Sequence, residues 1–169
     1  MARTIRTKVY LFSELSDQAK QKVIEDNYDI NVDYEWWESA YEDAANIGLK
    51  ITGFDIDRGS YCNGEFTISA NEVAANIFRD HGENCETYKT AKEFMEEWQP
   101  VFSEYMTEPE NMGELEGKLQ DIEDDFLKSL CEDYRILLQH QYEYLTSEGA
   151  IIETIEANEY EFTQDGKRF

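Results

Sequence analysis

Carboxylates, two histidines and three cysteines are the side chains of this chain that could do chemistry, and the carboxylates come in rows. Glu35, Glu38 and Glu42 stand at i, i+3 and i+7, with Asp43 beside them. On one helix face such neighbours lie about 5–6 Å apart. Farther along, Glu114, Asp121, Asp124, Asp125, Glu132 and Asp133 fall opposite an apolar stripe. Like charges at this spacing destabilise a helix, and what they can do is present negative charge to a basic partner, much as a nucleic-acid backbone does. The candidate partner-binding residues are therefore Asp33, Glu35, Trp36, Glu38, Glu42, Asp43, Asp121, Asp124 and Asp125. The alternative is a solvated face that only confers solubility.

Trp36 and Trp37 sit among these acids, and Trp is a preferred interface anchor. The two cannot both face inward on one helix, so one is expected to be partly exposed or covered by a loop; the alternative is that each packs against a different neighbour. Asp29-x-Asn31-x-Asp33 begins like a calcium loop, but Tyr34 stands where glycine is needed and Ala40 where the bidentate glutamate belongs. Asp55-x-Asp57 is similarly incomplete. His81-x3-Cys85 has no second His/Cys pair to complete a zinc site. A dyad of His81 with Cys85 or Cys62 remains open in principle, yet no nucleophile elbow, phosphate-binding glycine loop or zincin motif is present. The reading is of a binding protein and not an enzyme, with no cofactor and no metal.

Thirty-eight Asp and Glu oppose fifteen Lys and Arg, a net charge of −23 on 169 residues. The imbalance is placed unevenly. Residues 1–22 hold five basic residues and two acids, net +3, so the remainder carries −26; positions 23–48 contain eight acids and no Lys or Arg. Such a surface repels nucleic acid and anionic membrane and attracts basic proteins. Arg3, Arg6 and Lys8 are a poor nucleic-acid footprint against that background and are expected to neutralise neighbouring carboxylates. A 41% hydrophobic and 14% aromatic composition argues against disorder. Three scattered cysteines suit a reducing compartment. With no apolar run after the basic N-terminus and no membrane-length stretch, a soluble cytoplasmic protein is expected.

The elements that must position these residues are legible from periodicity. A strand is predicted over residues 4–12, then a helix from Asp17 to about Asn27 capped by Ser16, with Leu15, Ala19, Val23 and Ile24 inward. A second helix is predicted from Asp33 to Ile47 and stopped by Gly48. Lys50–Asp57 and Tyr61–Ser69 read as a hairpin, followed by helices Asn71–Asp80 and Thr87–Met106, the latter kinked at Pro100. Leu115 to Leu145 repeats at steps of three and four, giving one amphipathic helix of roughly thirty residues. A short helix over Glu148–Ala157 leads to an edge strand near Glu159–Thr163 and a turn at Asp165-Gly166. The expected fold is one α+β domain over residues 1–169: a small antiparallel sheet of three to four strands packed by about five helices.

The segments Phe12–Glu25 (FSELSDQAKQKVIE), Asp29–Glu38 (DINVDYEWWE), Gly48–Arg58, His81–Ala91 and Glu161–Phe169 resemble a family of small acidic proteins encoded by phages, prophages and mobile elements, some labelled antitoxin-like. The resemblance spans nearly the whole chain. It implies a role in the conflict between phage and host, and it carries no functional residue, fold or mechanism with it. The combined expectation is a phage-type inhibitor or anti-defence protein, of the kind that counters CRISPR and related systems. Its partner would be a basic or nucleic-acid-binding host protein, with DNA mimicry as one mode of binding it. The other binding role is an antitoxin neutralising a basic toxin. Neither nucleic acid nor membrane is bound directly, and the oligomeric state is left open.

Overall fold

A strand extends only as far as its partner, and this limits the sheets here. The computed structural model describes all 169 residues. It contains strands β1 (Tyr10–Leu11), β2 (Leu49–Asp55), β3 (Tyr61–Phe66) and β4 (Glu161–Phe162). The helices are α1 (Asp17–Asp26), α2 (Glu38–Ile47), α3 (Ala70–Asp80), α4 (Glu86–Thr107), α5 (Met112–Leu145) and α6 (Glu148–Ala157). The α+β class is as expected, but the single sheet is not: the strands form two separate antiparallel pairs, β1 with β4 and β2 with β3. Two compact units are present, one comprising residues 1–36 and 140–169, the other residues 37–139.

In the first unit, Ser16 Oγ accepts the Ala19 N–H at 3.2 Å and starts α1. The predicted stripe Leu15, Ala19, Val23 and Ile24 is buried, packed with Phe12, Ile151, Ile155 and Phe162. The strand expected over residues 4–12 shrinks to Tyr10–Leu11, because its partner offers only Glu161 and Phe162. Gly166 turns the chain at φ +84° and lies so close to α1 that a Cβ there would be 2.8 Å from the Ala19 carbonyl oxygen. Only glycine fits that approach.

The second unit is built on the β2–β3 hairpin. Leu49 pairs with Phe66, Ile51 with Gly64 and Phe54 with Cys62, with a bulge between Ile51 and Gly53. Partners at 66, 64 and 62 share one sheet face. The bulge therefore turns Phe54, three residues after Ile51, to the same side as Ile51 and Leu49. Gly48 ends α2 at φ +96°, and Ser69 with Glu72 forms a capping box at the start of α3.

α4 continues through Pro100 to Thr107 and runs antiparallel to α5. Phe94 of α4 stacks on Phe126 of α5 with ring centroids 4.1 Å apart and planes 6° from parallel. These two rings anchor a core shared by Ile47, Leu49, Val73, Ile77, Ala91 and Leu130. No helix is long and apolar enough to cross a membrane.

Candidate partner-binding surface

Asp33 and Glu35 are exposed but do not belong to a helix. The helix expected from Asp33 begins only at Glu38, with Trp37 at its N-cap. Tertiary anchors override the helical pattern just before it. Asn31 is buried; its Nδ2 donates to the Leu145 carbonyl at 2.9 Å and its Oδ1 accepts the Thr154 hydroxyl at 2.6 Å. Trp36 packs on Tyr142, with ring centroids 5.4 Å apart, and its carbonyl accepts the Gln141 amide at 3.1 Å. The row Glu35, Glu38, Glu42 is thus reduced to Glu38 and Glu42, one turn apart on α2. Trp36 is corrected as a surface candidate, since it is only 9% exposed. Asn31, the middle residue of the incomplete calcium motif, is a structural clasp, and no group of three or more His, Cys, Asp or Glu is gathered to hold a metal.

Asp43 lies on α2 beside the acidic pair, its side chain half exposed, with one carboxylate oxygen engaged inward. Its Oδ2 accepts the hydroxyl of fully buried Tyr134 at 2.6 Å. His81 Nε2 lies 3.3 Å from the same oxygen without the alignment of a hydrogen bond, and its Nδ1 is 2.6 Å from Thr87 Oγ1. The adjacent His81 ring lowers the Asp43 carboxyl below its usual range against the opposing effect of partial burial, and the Tyr134 hydroxyl adds to the lowering. His81 is therefore engaged with Asp43 and Thr87. The sequence contains both halves of this network, but no spacing links residues that lie 38 and 53 positions apart.

On α5 the acids divide into two sets. Glu116, Glu123 and Asp133 are held by donors from α4: Tyr105 Oη to Glu116 at 3.0 Å, Trp98 Nε1 to Glu123 at 3.1 Å and Thr90 Oγ1 to Asp133 at 2.6 Å. These contacts serve the helix pair. Burial raises the Asp133 carboxyl above its usual range, while the Thr90 hydroxyl partly offsets this. Asp121, Asp124 and Asp125 belong to the second set and remain exposed. Gln120 donates to Asp124 at 2.9 Å. Asp125 precedes the stacked Phe126.

Charge neutralisation is local. Ion pairs join Lys50 to Glu65, Arg79 to Asp80, Lys89 to Glu86, Lys118 to Glu114 and Arg135 to Glu132. Arg3, Arg6 and Lys8 do not neutralise carboxylates as expected: none of them forms an ion pair, and Lys8 lies instead over the Tyr10 ring at 5.0 Å. Asp121, Asp124 and Asp125 take part in none of these ion pairs.

Glu38 and Glu42 also border an open groove of about 460 Å³. Tyr41, Ala45, Leu49 and Ile51 supply its apolar lining, with Lys50 at the edge. Comparison with known proteins finds no matching family model, no matching curated relative and no matching solved structure.

Proposed function

We propose that this protein is an acidic inhibitor of the phage or mobile-element type, acting in the cytoplasm by binding rather than catalysis. Its target is a basic or nucleic-acid-binding host protein, and Asp121, Asp124 and Asp125 on α5 are the main contacts. The observation that carries this reading is that these carboxylates stand exposed on a helix whose other side is fixed by the Phe94–Phe126 stack. A charged surface that is already ordered loses little side-chain and backbone freedom on association. Carboxylates one helical turn apart can occupy phosphate subsites of a groove built for nucleic acid.

Electrostatic attraction makes the association fast and salt-sensitive. The test is affinity capture from host lysate at about 50 and 500 mM salt, with the wild type and an Asp121→Lys/Asp124→Lys/Asp125→Lys variant. A nucleic-acid-binding protein retained by the wild type only at low salt, and lost by the variant, supports the reading. Equal recovery with both proteins overturns it.

The groove beside α2 favours a second reading, an antitoxin. An apolar floor with Glu38 and Glu42 at its rim suits a basic segment that also carries apolar side chains. Rescue of cells from the product of a neighbouring toxic gene, lost on Glu38→Lys/Glu42→Lys, would distinguish this reading from the first.

A further inference from the structure

Cys62 lies within β3 and Cys131 on α5, 69 positions later in the chain. Cys62 and Gly64 share the inward face of the hairpin, since their partners Phe54 and Ile51 do. The place a Gly64 Cβ would occupy is 3.3 Å from Cys131 Sγ and 2.9 Å from the Lys50 carbonyl oxygen. The α5 thiol therefore sits in the notch that glycine leaves, one pleat along from Cys62. The two thiols are near enough that each shifts the other's proton affinity. Both line an open cleft of about 470 Å³, with Tyr61, Lys128 and Glu132 among its walls.

We propose that Cys62 and Cys131 form a modification site, a dithiol that a hydroperoxide converts to a disulfide between the hairpin and the long helix. With Cys131 Sγ lodged against Gly64, two residues from Cys62 on the same hairpin face, the sulfurs start within side-chain reach of the ~2.05 Å bond, and the cleft that both line admits a small oxidant. The neighbouring Cys62 lets Cys131 release its proton more readily than an isolated thiol, while the neighbouring Cys131 and burial make Cys62 hold its own.

The Cys131 thiolate attacks a peroxide oxygen. An S–O bond forms, the O–O bond breaks, and the leaving oxygen takes a proton to depart as alcohol or water. Cys62 then gives up its proton and attacks the sulfenic sulfur; the S–S bond forms and hydroxide leaves, protonated to water. Two electrons pass from the thiols to one hydroperoxide.

The experiment treats folded wild type, Cys85→Ser and Cys62→Ser with hydrogen peroxide, blocks remaining thiols by alkylation, and maps tryptic peptides without reductant. Cleavage after Arg58, Arg79, Lys128 and Arg135 separates the two cysteines into different peptides. The wild type and Cys85→Ser should yield these peptides joined, two hydrogens lighter than their sum and released by reductant. Cys62→Ser should lose the joined species and leave Cys131 as a sulfenic acid trapped by dimedone. Exposed Cys85 serves as the internal gauge. Recovery of Cys62 and Cys131 alkylated separately once Cys85 has been consumed overturns the proposal, as do cross-links that run only through Cys85.

Discussion

At the scale of single residues, two carboxylates of one unit respond to pH in opposite directions. Asp43 is more acidic when folded than when unfolded, so the stabilisation from its contacts with the His81 ring and the Tyr134 hydroxyl is present above the ordinary aspartate value and is lost as pH falls through the folded value. Asp133 is less acidic when folded. It binds its proton more tightly in the native state, so stability falls as pH rises from the unfolded to the folded value, and the ionised group is a liability at neutral pH. Asp133→Asn keeps an acceptor for Thr90 and removes the charge. We expect a gain of a few tenths of a kcal/mol at pH 7, small because the group is half exposed, or about 1 °C in Tm. The gain should vanish below about pH 4, where the native carboxyl is already protonated. Thermal melts of both proteins across this range check it, and a lower Tm for the variant at pH 7 would reverse the assignment.

At the scale of elements, the approach of α5 to the hairpin depends on a residue without a side chain. Gly64→Ala places a methyl 2.9 Å from the Lys50 carbonyl oxygen, which is backbone and cannot swing away, and 3.3 Å from Cys131 Sγ. A loss of about 1–3 kcal/mol is expected, read as a lower denaturation midpoint. Tolerance of the alanine would show that the helix and hairpin are more loosely packed than described.

Elements of this kind were unequally legible. α1 announces itself through the Ser16 cap and its apolar stripe, and α5 through its repeat at steps of three and four, and both agree with their burial. The bulge in β2, which no local pattern encodes, places Ile51 and Phe54 on one face despite their odd spacing. The start of α2 was misread because Asn31 and Trp36 are anchored by residues more than a hundred positions away, and no local pattern encodes such anchors. The same limit concealed the division of the α5 acids. Glu116, Glu123 and Asp133 look no different in sequence from Asp121 and Asp125 until α4 supplies their donors.

At the scale of the whole molecule, the net charge of −23 produces self-repulsion that salt should relieve. The local ion pairs that salt also weakens are largely exposed, and such pairs contribute little. Raising ionic strength from about 20 to 200 mM shortens the screening length from roughly 20 to 7 Å. Stability should rise by ~1 kcal/mol, or about 2–4 °C in Tm. A scan of Tm against sodium chloride measures this. A falling Tm would mean that the acids are better compensated within the fold than their positions indicate.

Trp36 and Trp37 are adjacent in the chain, yet they belong to different units: Trp36 packs on Tyr142 in one, Trp37 meets the edge of Phe54 in the other. The third indole, Trp98, shares the second unit and stacks on Phe102. The chain therefore carries an intrinsic fluorophore on each side of its internal boundary. Replacing Trp36 by Phe leaves emission from the second unit alone, and replacing Trp37 and Trp98 leaves emission from the first. Two spectroscopic channels follow from one dipeptide, and together they can report whether the units melt in concert or in succession.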